Sequence, residues 1–75
     1  MISEWFRLAM RAFSMRRPFR PYLIELFSGE RIRVIHPEAA RTRGELVMYI
    51  DPKGLHRLFD SSSVCELLDP PPSVE

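Results

Sequence analysis

The stretch YLIELFSGERIRVI, residues 22–35, decides the fold. Apolar side chains recur at every second position on both sides of Ser28 and Gly29, which is the pattern of two strands joined by a tight turn. A slip of one residue in the pairing would send every side chain to the opposite face of the sheet. The length of the loop therefore decides which residues reach the core.

A loop of two residues, Ser28 and Gly29, would set apolar residues of the first strand against arginines of the second. A loop of three residues, 27–29, forms a type I turn closed by a glycine in the left-handed conformation and avoids that conflict. We therefore predict the longer loop with its glycine bulge. The predicted pairs are Tyr22 with Val34, Ile24 with Ile32 and Glu25 with Arg31.

The second half of the chain contains a second predicted hairpin with a tight turn. Asp51, Pro52 and Gly54 occupy the first, second and fourth positions that a type I turn prefers, so a second hairpin is predicted around them. The predicted strands are 46–50, 55–59 and 64–68, with a tight turn at 60–63 and a loop at 39–43.

The N-terminal segment has the period of a helix, because its apolar residues recur at intervals of three and four. These residues are Ile2, Trp5, Phe6, Ala9, Met10 and Phe13. Ser3 is the predicted N-cap, and Pro18 disfavours helical geometry in the residue before it. The prediction is a helix over residues 3–17, followed by an extended connector.

One helix followed by five short strands leaves two sheet edges to cover. We expect a mainly β fold with one N-terminal α-helix, arranged as a small five-stranded SH3-like or Sm-like barrel or as a strongly bent antiparallel sheet. The predicted single domain covers residues 1–69, with the barrel at 22–68. Residues 70–75 begin with three consecutive prolines and are predicted to be a flexible tail.

Three motifs resemble those of a known family. They are RPFRPY at residues 17–22, the spacing Leu26-x-x-Gly29, and Val34-x-His36-Pro37-Glu38. Together with the last strand they are similar to the pattern RPFxPF, L-x-DG and V-x-HPE of a widespread family of small bacterial proteins. Ser28 stands where that family has Asp, and Tyr22 where it has the second Phe. The resemblance implies no particular activity.

Composition bounds the class of protein. The chain has 75 residues, of which 45% are hydrophobic and 28% charged, values typical of one small soluble domain. Glu4, Arg7 and Arg11 interrupt the N-terminal apolar run, so we expect neither a secretory signal nor a membrane span. An organellar transit peptide is the weaker alternative. The single cysteine, Cys65, forms no internal disulfide, which favours a cytoplasmic protein.

Arginines concentrate in the first part of the chain, although the net charge is only +1. Arginine binds phosphate through a bidentate fork and stacks on bases, and aromatic side chains add stacking. The candidate nucleic-acid-binding residues are Arg16, Arg17, Phe19, Arg20, Arg31, Arg33, Arg41 and Arg43. The competing interpretation is a solvated surface with weak ion pairs, which the nearly balanced charge favours.

Groups for catalysis or metal binding are sparse. Cys65 lies among apolar residues and is predicted to be buried, where a thiol fills the core and is no nucleophile. His36 and His56 are far apart in sequence, with no further Cys or His at ligand spacing. No glycine-rich phosphate loop occurs. We expect no enzyme activity, no metal, no cofactor and no small-molecule substrate.

The apolar face of the helix has two interpretations, of which packing over an open end of the barrel is favoured over binding a partner. The candidate partner-binding residues are Trp5, Phe6, Met10 and Phe13. Leu8 and Ala12 lie off that face and are also apolar, a surplus that is typical of self-association or of a protein partner. The leading prediction is a non-catalytic small-barrel module that binds a protein partner or itself through a free sheet edge or the helix face. The alternatives are an RNA-binding or DNA-binding barrel and, third, attachment to a membrane surface.

Overall fold

A computed structural model describes residues 1–71. Within that range the chain forms one helix, six short strands and a 3-10 helix before the last strand. The elements are α1 (Ser3–Ser14), β1 (Tyr22–Leu26), β2 (Arg31–Val34), β3 (Ala40–Arg43), β4 (Leu46–Ile50), β5 (His56–Asp60), the 3-10 helix (Ser61–Ser63) and β6 (Val64–Leu68). The mainly β class with one N-terminal helix is confirmed.

The strands form two antiparallel sheets of three strands each. β1 is the centre of the first sheet, in the order β2-β1-β6, and β4 is the centre of the second, in the order β3-β4-β5. The hydroxyl of Tyr49 in β4 donates to the carbonyl of Arg33 in β2 at 2.7 Å, which connects the two sheets. Strand pairing closes no barrel within residues 1–71, so each outer strand has one strand partner there.

The first hairpin confirms the predicted register. The observed pairs are Tyr22 with Val34, Ile24 with Ile32 and Glu25 with Arg31. Gly29 has a φ of 93°, and its N–H donates to the Leu26 carbonyl at 2.9 Å. Glycine adopts this left-handed conformation without strain, so the bulged loop is stable and directs Ile24 into the core.

The predicted loop at 39–43 contains a strand. β3 pairs along its length with β4, where Ala40 lies opposite Tyr49 and Thr42 opposite Val47. Ala40 is buried, whereas the arginines of β3 are exposed. The loop prediction is wrong because the inward side of β3 offers only Ala and Thr, and its period of two is therefore hard to see in the sequence. The described chain consequently has six strands where five were predicted.

The helix ends at Ser14 and not at residue 17, as the sequence predicted. The Ser14 hydroxyl lies 3.1 Å from the hydroxyl of Tyr22 at the start of β1. Beyond the helix, Arg16 donates to the carboxylate of Asp69. With these contacts the chain leaves the helix after Ser14 and runs toward β1, so the helix ends four residues before Pro18.

The N-terminus of α1 is held without a side-chain cap. Ile2 occupies the N-cap position, and Ser3, the predicted cap, is already helical. The α-ammonium group of Met1 donates to the carbonyls of Ser61 at 3.1 Å and Val64 at 2.5 Å. The prediction of a Ser3 cap is wrong because this anchoring fixes Ile2 in the extended conformation, which places Ser3 inside the first turn.

One hydrophobic core joins α1 to both sheets. Its largest fully buried side chains are Phe6, Tyr22, Ile24, Val34, Val47 and Val64. The ring of Tyr22 lies 5.2 Å from that of Phe13 and 6.3 Å from that of Phe19, measured between ring centroids. Burial raises the pKa of the Tyr22 hydroxyl. Tyr22 therefore links the helix, the connector and the first sheet.

The predicted tight turn at 60–63 is the 3-10 helix. The carboxylate of Asp60 accepts a hydrogen bond from the Ser62 N–H at 2.8 Å, and this bond lowers the pKa of Asp60. Of the predicted tail at 70–75, residues 72–75 lie outside the described part of the chain. No helix within residues 1–71 has the length and apolar character needed to span a membrane.

Candidate functional site

The helix has a buried side and an exposed side. Phe6 and Met10 are buried in the core, and Phe13 packs against the ring of Tyr22. Three of the four residues predicted to bind a partner therefore hold the helix on the sheets. Trp5, the fourth, is 65% exposed.

Trp5, Leu8, Ala12 and Met15 form an apolar stripe on the exposed side, here called the helix stripe. Their spacing of three, four and three residues keeps them on one side of a helix. Leu8 is 56% and Met15 57% exposed, so the stripe is solvated along its whole length. Exposed apolar surface is a common feature of interaction sites on small proteins.

Cations border the helix stripe on one side. Arg7 and Arg11 are both exposed and lie one helical turn apart. The ion pairs found within residues 1–71 involve other arginines, so both guanidinium groups face solvent there. Glu4 lies in the first turn, where the helix dipole stabilises a carboxylate. The stripe thus joins apolar surface to a mainly cationic border.

Arg16 and Phe19, two of the predicted nucleic-acid-binding residues, make contacts within the domain. Arg16 donates to Asp69 at 2.5 Å and to the Arg20 carbonyl at 2.9 Å, and its guanidinium carbon lies 4.7 Å from the centroid of the Phe13 ring. Phe19 is partly buried against the core. These contacts tie the connector to the helix and to the residue that follows β6.

Three further arginines of the predicted set lie near the first sheet. Arg31 donates to the carboxylate of Glu25 at 3.0 Å. Arg33 is exposed on the same side of β2 as Arg31. Arg20 and Arg33 line a cleft of about 330 Å³ to which Asp69 also contributes. The acid in this cleft reduces its positive charge.

The remaining members of the set are Arg17, Arg41 and Arg43. Arg17 is exposed in the connector, whereas Arg41 and Arg43 are exposed on β3 in the second sheet. The predicted arginines are therefore divided between the two sheets and the connector, and two of them are already paired with acids.

The outer side of the second sheet is an apolar surface that the sequence prediction missed. Leu46, Met48 and Ile50 of β4 are 40%, 38% and 42% exposed, and the neighbouring Leu58 of β5 is 61% exposed. These four residues are here called the sheet face. This surface could have been predicted from the sequence of β4, LVMYI, which is apolar at every position. Such a sequence is typical of a strand covered on both sides. Within residues 1–71 only one side of β4 is covered.

Cys65 is exposed, although it was predicted to be buried. Val64 points into the core, and the register of β6 against β1 shifts between its pairs with Leu26 and Glu25, so Cys65 has no partner on β1 and both Cys65 and Glu66 lie on the exposed side. The prediction is wrong because the apolar neighbours of Cys65 in sequence are not its neighbours in space. The Cys65 sulfur and the carboxylate oxygens of Glu25 and Glu66 lie within 4.8 Å of one another.

Glu25 and Glu66 face each other across β1 and β6. The hydrogen bond between them raises the pKa of Glu66 and lowers that of Glu25, and Arg31 lowers the latter further. A proton shared by the pair therefore resides on Glu66 and not on Glu25. The groups beside the Cys65 sulfur are carboxylates, whereas reactive thiols lie beside positively charged groups.

The two histidines lie at separate clefts beside the second hairpin. His36 lines a cleft of about 360 Å³, and His56 lines one of about 380 Å³. Within the described chain, neither histidine belongs to a group of three side chains able to hold a metal ion.

Comparison with protein-family models, curated proteins and solved structures finds no match to this chain. The candidate functional surfaces are therefore defined by geometry, and two of them are apolar: the helix stripe and the sheet face.

Proposed function

We propose that the protein is a non-catalytic interaction module of the small-barrel type, which binds a protein partner or itself. The barrel assignment is supported by the single core shared by both sheets and by the Tyr49 to Arg33 hydrogen bond between them. The order of elements, with a helix first and a 3-10 helix before the last strand, is similar to that of SH3-like and Sm-like barrels.

The exposed helix stripe carries the proposal. Phe6 and Met10 dock α1 on the sheets, whereas Trp5, Leu8 and Met15 remain more than half exposed. Keeping three large apolar side chains in water is unfavourable by the hydrophobic effect, and binding a partner removes that surface from water.

The chemistry of the stripe defines its partner. Apolar residues at intervals of three and four are the anchors with which a helix binds an apolar groove. Arg7 and Arg11 beside the stripe favour acidic residues along the rim of that groove. Trp5 is the anchor expected to contribute most, because tryptophan is enriched among residues that dominate binding energy.

The site chemistry supports a non-catalytic role. The exposed thiol of Cys65 lies beside the carboxylates of Glu25 and Glu66, whereas reactive thiols lie beside cationic groups. The clefts at His36 and His56 present a mixture of charged and apolar side chains, and in the described part of the chain no serine, threonine or cysteine lines either cleft. Within residues 1–71, neither cleft therefore contains a hydroxyl or thiol nucleophile of the kind that covalent catalysis most often uses.

The test has two stages. Immobilised wild-type protein captures its partner from an extract of the native cells, and the purified partner is then titrated into the protein. Trp5 is the only tryptophan in the chain, so its emission reports directly whether the helix stripe becomes covered. We expect a blue shift that saturates with partner concentration.

Matched variants make the test specific. Leu8→Glu places a charge in the middle of the stripe and is expected to weaken binding at least about tenfold. Lys53→Gln makes the same change in net charge at an exposed turn of the second hairpin and is expected to leave binding unchanged. If Leu8→Glu retains every protein that the wild type retains, with equal affinity, partner binding by the helix stripe is refuted.

Nucleic-acid binding is the second candidate, because Arg20 and Arg33 line one cleft and Arg17 is exposed nearby in sequence. Its test is the anisotropy of labelled single-stranded RNA and duplex DNA at low and near-physiological salt. Binding that falls steeply with salt and weakens when Arg17 and Arg20 become Ala supports this candidate. Flat titrations at both salt concentrations exclude it.

A further inference from the structure

The four residues of the sheet face lie in rows with outward-facing residues of the neighbouring strands. In one row Arg43 of β3, Leu46 of β4 and Asp60 of β5 are neighbours. In the next row Arg41, Met48 and Leu58 are neighbours, and Ile50 lies beside His56 in the third. Because paired residues in an antiparallel sheet share a face, all these side chains lie on the outer side.

The middle of this surface is apolar over its whole length. An antiparallel sheet with one solvated face normally alternates apolar residues inward with polar residues outward. Here Val47 and Tyr49 are buried on the inner side, yet Leu46, Met48 and Ile50 on the outer side are also apolar. The pattern is that of a strand covered on both sides, and the second cover is absent within residues 1–71.

The charges at the two margins of the surface have opposite sign. The β3 margin carries Arg41 and Arg43, and the β5 margin carries Asp60 in the same row as Arg43. A twofold axis that runs along β4, between two copies laid face to face, exchanges the β3 margin with the β5 margin. Asp60 of each copy then faces Arg43 of the other, and Leu46 and Met48 meet their own equivalents. The surface is thus complementary to itself.

We propose that the sheet face is the interface of a symmetric homodimer, in which a second copy of this chain packs sheet on sheet. The two sheets then stack with their strands within about 30° of each other, as in other face-to-face sheet packings. The inference rests on the proposed interaction function, since it names one partner of the module. It uses a different surface from the helix stripe, so the two are separable by mutation.

The test is the mass of the full chain measured by sedimentation equilibrium across a wide range of protein concentration. The wild type is expected to shift from the mass of one chain to that of two. Met48→Glu, at the centre of the face, is expected to raise the dimer dissociation constant at least about tenfold. Met48 is already partly exposed, so the variant is expected to fold, and circular dichroism is the check of its folding.

Two further variants complete the design. Arg43→Glu brings like charges together across the proposed axis and is expected to weaken the dimer, with an effect that shrinks as salt rises. Leu8→Glu, the helix-stripe variant, is expected to leave the dimer unchanged.

Three results would overturn the proposed symmetric dimer through the sheet face. The first is a wild type that remains monomeric at the highest concentration, and the second is a dimer abolished by Leu8→Glu but unaffected by Met48→Glu. The third is a dimer sensitive to Met48→Glu but indifferent to Arg43→Glu, which rejects the twofold arrangement. The two proposals are tested separately. A negative sedimentation result refutes the homodimer and does not affect partner capture by the helix stripe. A negative capture result refutes the helix stripe and does not affect the sedimentation result.

Discussion

Substitution of two adjacent residues of α1, Trp5 and Phe6, tests which side of the helix is buried and which is exposed. Phe6 is fully buried in the core, whereas Trp5 is 65% exposed. Replacing a buried phenylalanine by alanine removes its transfer free energy and leaves a cavity, which together cost about 3–5 kcal/mol. Replacing an exposed side chain changes the free energy of unfolding by about 0.5 kcal/mol or less. Trp5→Ala is therefore expected to lower the free energy of unfolding less than Phe6→Ala, although tryptophan is the larger side chain.

The expected loss for Phe6→Ala is large relative to the total. A chain of 75 residues has a free energy of unfolding of about 4–11 kcal/mol, so this one substitution removes a large fraction of it. Phe6→Leu keeps most of the side-chain volume and provides a folded variant with an intermediate loss, should Phe6→Ala fail to fold.

The assay is urea unfolding followed by far-ultraviolet circular dichroism, because Trp5→Ala removes the only tryptophan. We expect the unfolding midpoint of Trp5→Ala to match the wild type and that of Phe6→Leu to be clearly lower. Equal midpoint shifts for the Trp5 and Phe6 variants would refute the orientation of α1 and, with it, the helix stripe.

Three other substitutions test the turns, the contact between sheets and the carboxylate pair. Gly29→Ala forces a side chain into a φ of 93° and is expected to cost about 1–2 kcal/mol in urea unfolding; no loss would contradict the bulged loop. Tyr49→Phe removes the hydrogen bond to the Arg33 carbonyl and is expected to cost about 0.5–1.5 kcal/mol by the same assay, so an unchanged midpoint would argue against that link between the sheets. The raised pKa of Glu66 means that the folded chain holds this proton more tightly than the unfolded chain, so the stabilisation is present at acidic pH and is lost as pH rises through that pKa. Glu66→Gln keeps a hydrogen-bond donor for Glu25 at every pH, and thermal melts are expected to show a higher Tm than wild type at neutral pH with little difference at acidic pH; a lower Tm at neutral pH would contradict the pairing.

The first hairpin was predictable because its register is decided locally. Only a loop closed by a left-handed Gly29 brings Ile24 opposite Ile32, and the structure has this pairing. The second hairpin follows the same rule, since Gly54 has a φ of 84° and its N–H donates to the Asp51 carbonyl. Local chemistry of this kind needs no knowledge of the rest of the fold.

β3 and Cys65 were missed because tertiary pairing decides them. β3 is a strand because β4 offers it a partner, and its own arginines and small residues give little sign of this. Cys65 is exposed because the register of β6 against β1 shifts beside it, which leaves Val64 inward and both Cys65 and Glu66 outward. Sequence neighbours alone do not show which of two adjacent apolar residues faces inward.

The candidate surfaces were predicted in part. The apolar surplus at Leu8 and Ala12 pointed to an exposed side of α1. Phe6 and Met10 were candidates both for packing and for partner binding, and the core uses them. Apolar residues outside the core-facing side of a helix indicate that some of its apolar surface stays exposed. Which part does so depends on where the sheets lie.

The two proposed surfaces lie on different parts of the module, and this has a consequence for binding strength. The helix contacts β6 and the 3-10 helix, whereas the sheet face is the outer side of the β3-β4-β5 sheet. A homodimer through the sheet face therefore presents two helix stripes at once. For a partner with two grooves within reach, the second binding event is intramolecular and raises the overall affinity by about 10²–10⁴. Met48→Glu is then expected to reduce binding to such a bivalent partner while leaving the affinity for a single groove unchanged, whereas Leu8→Glu reduces both.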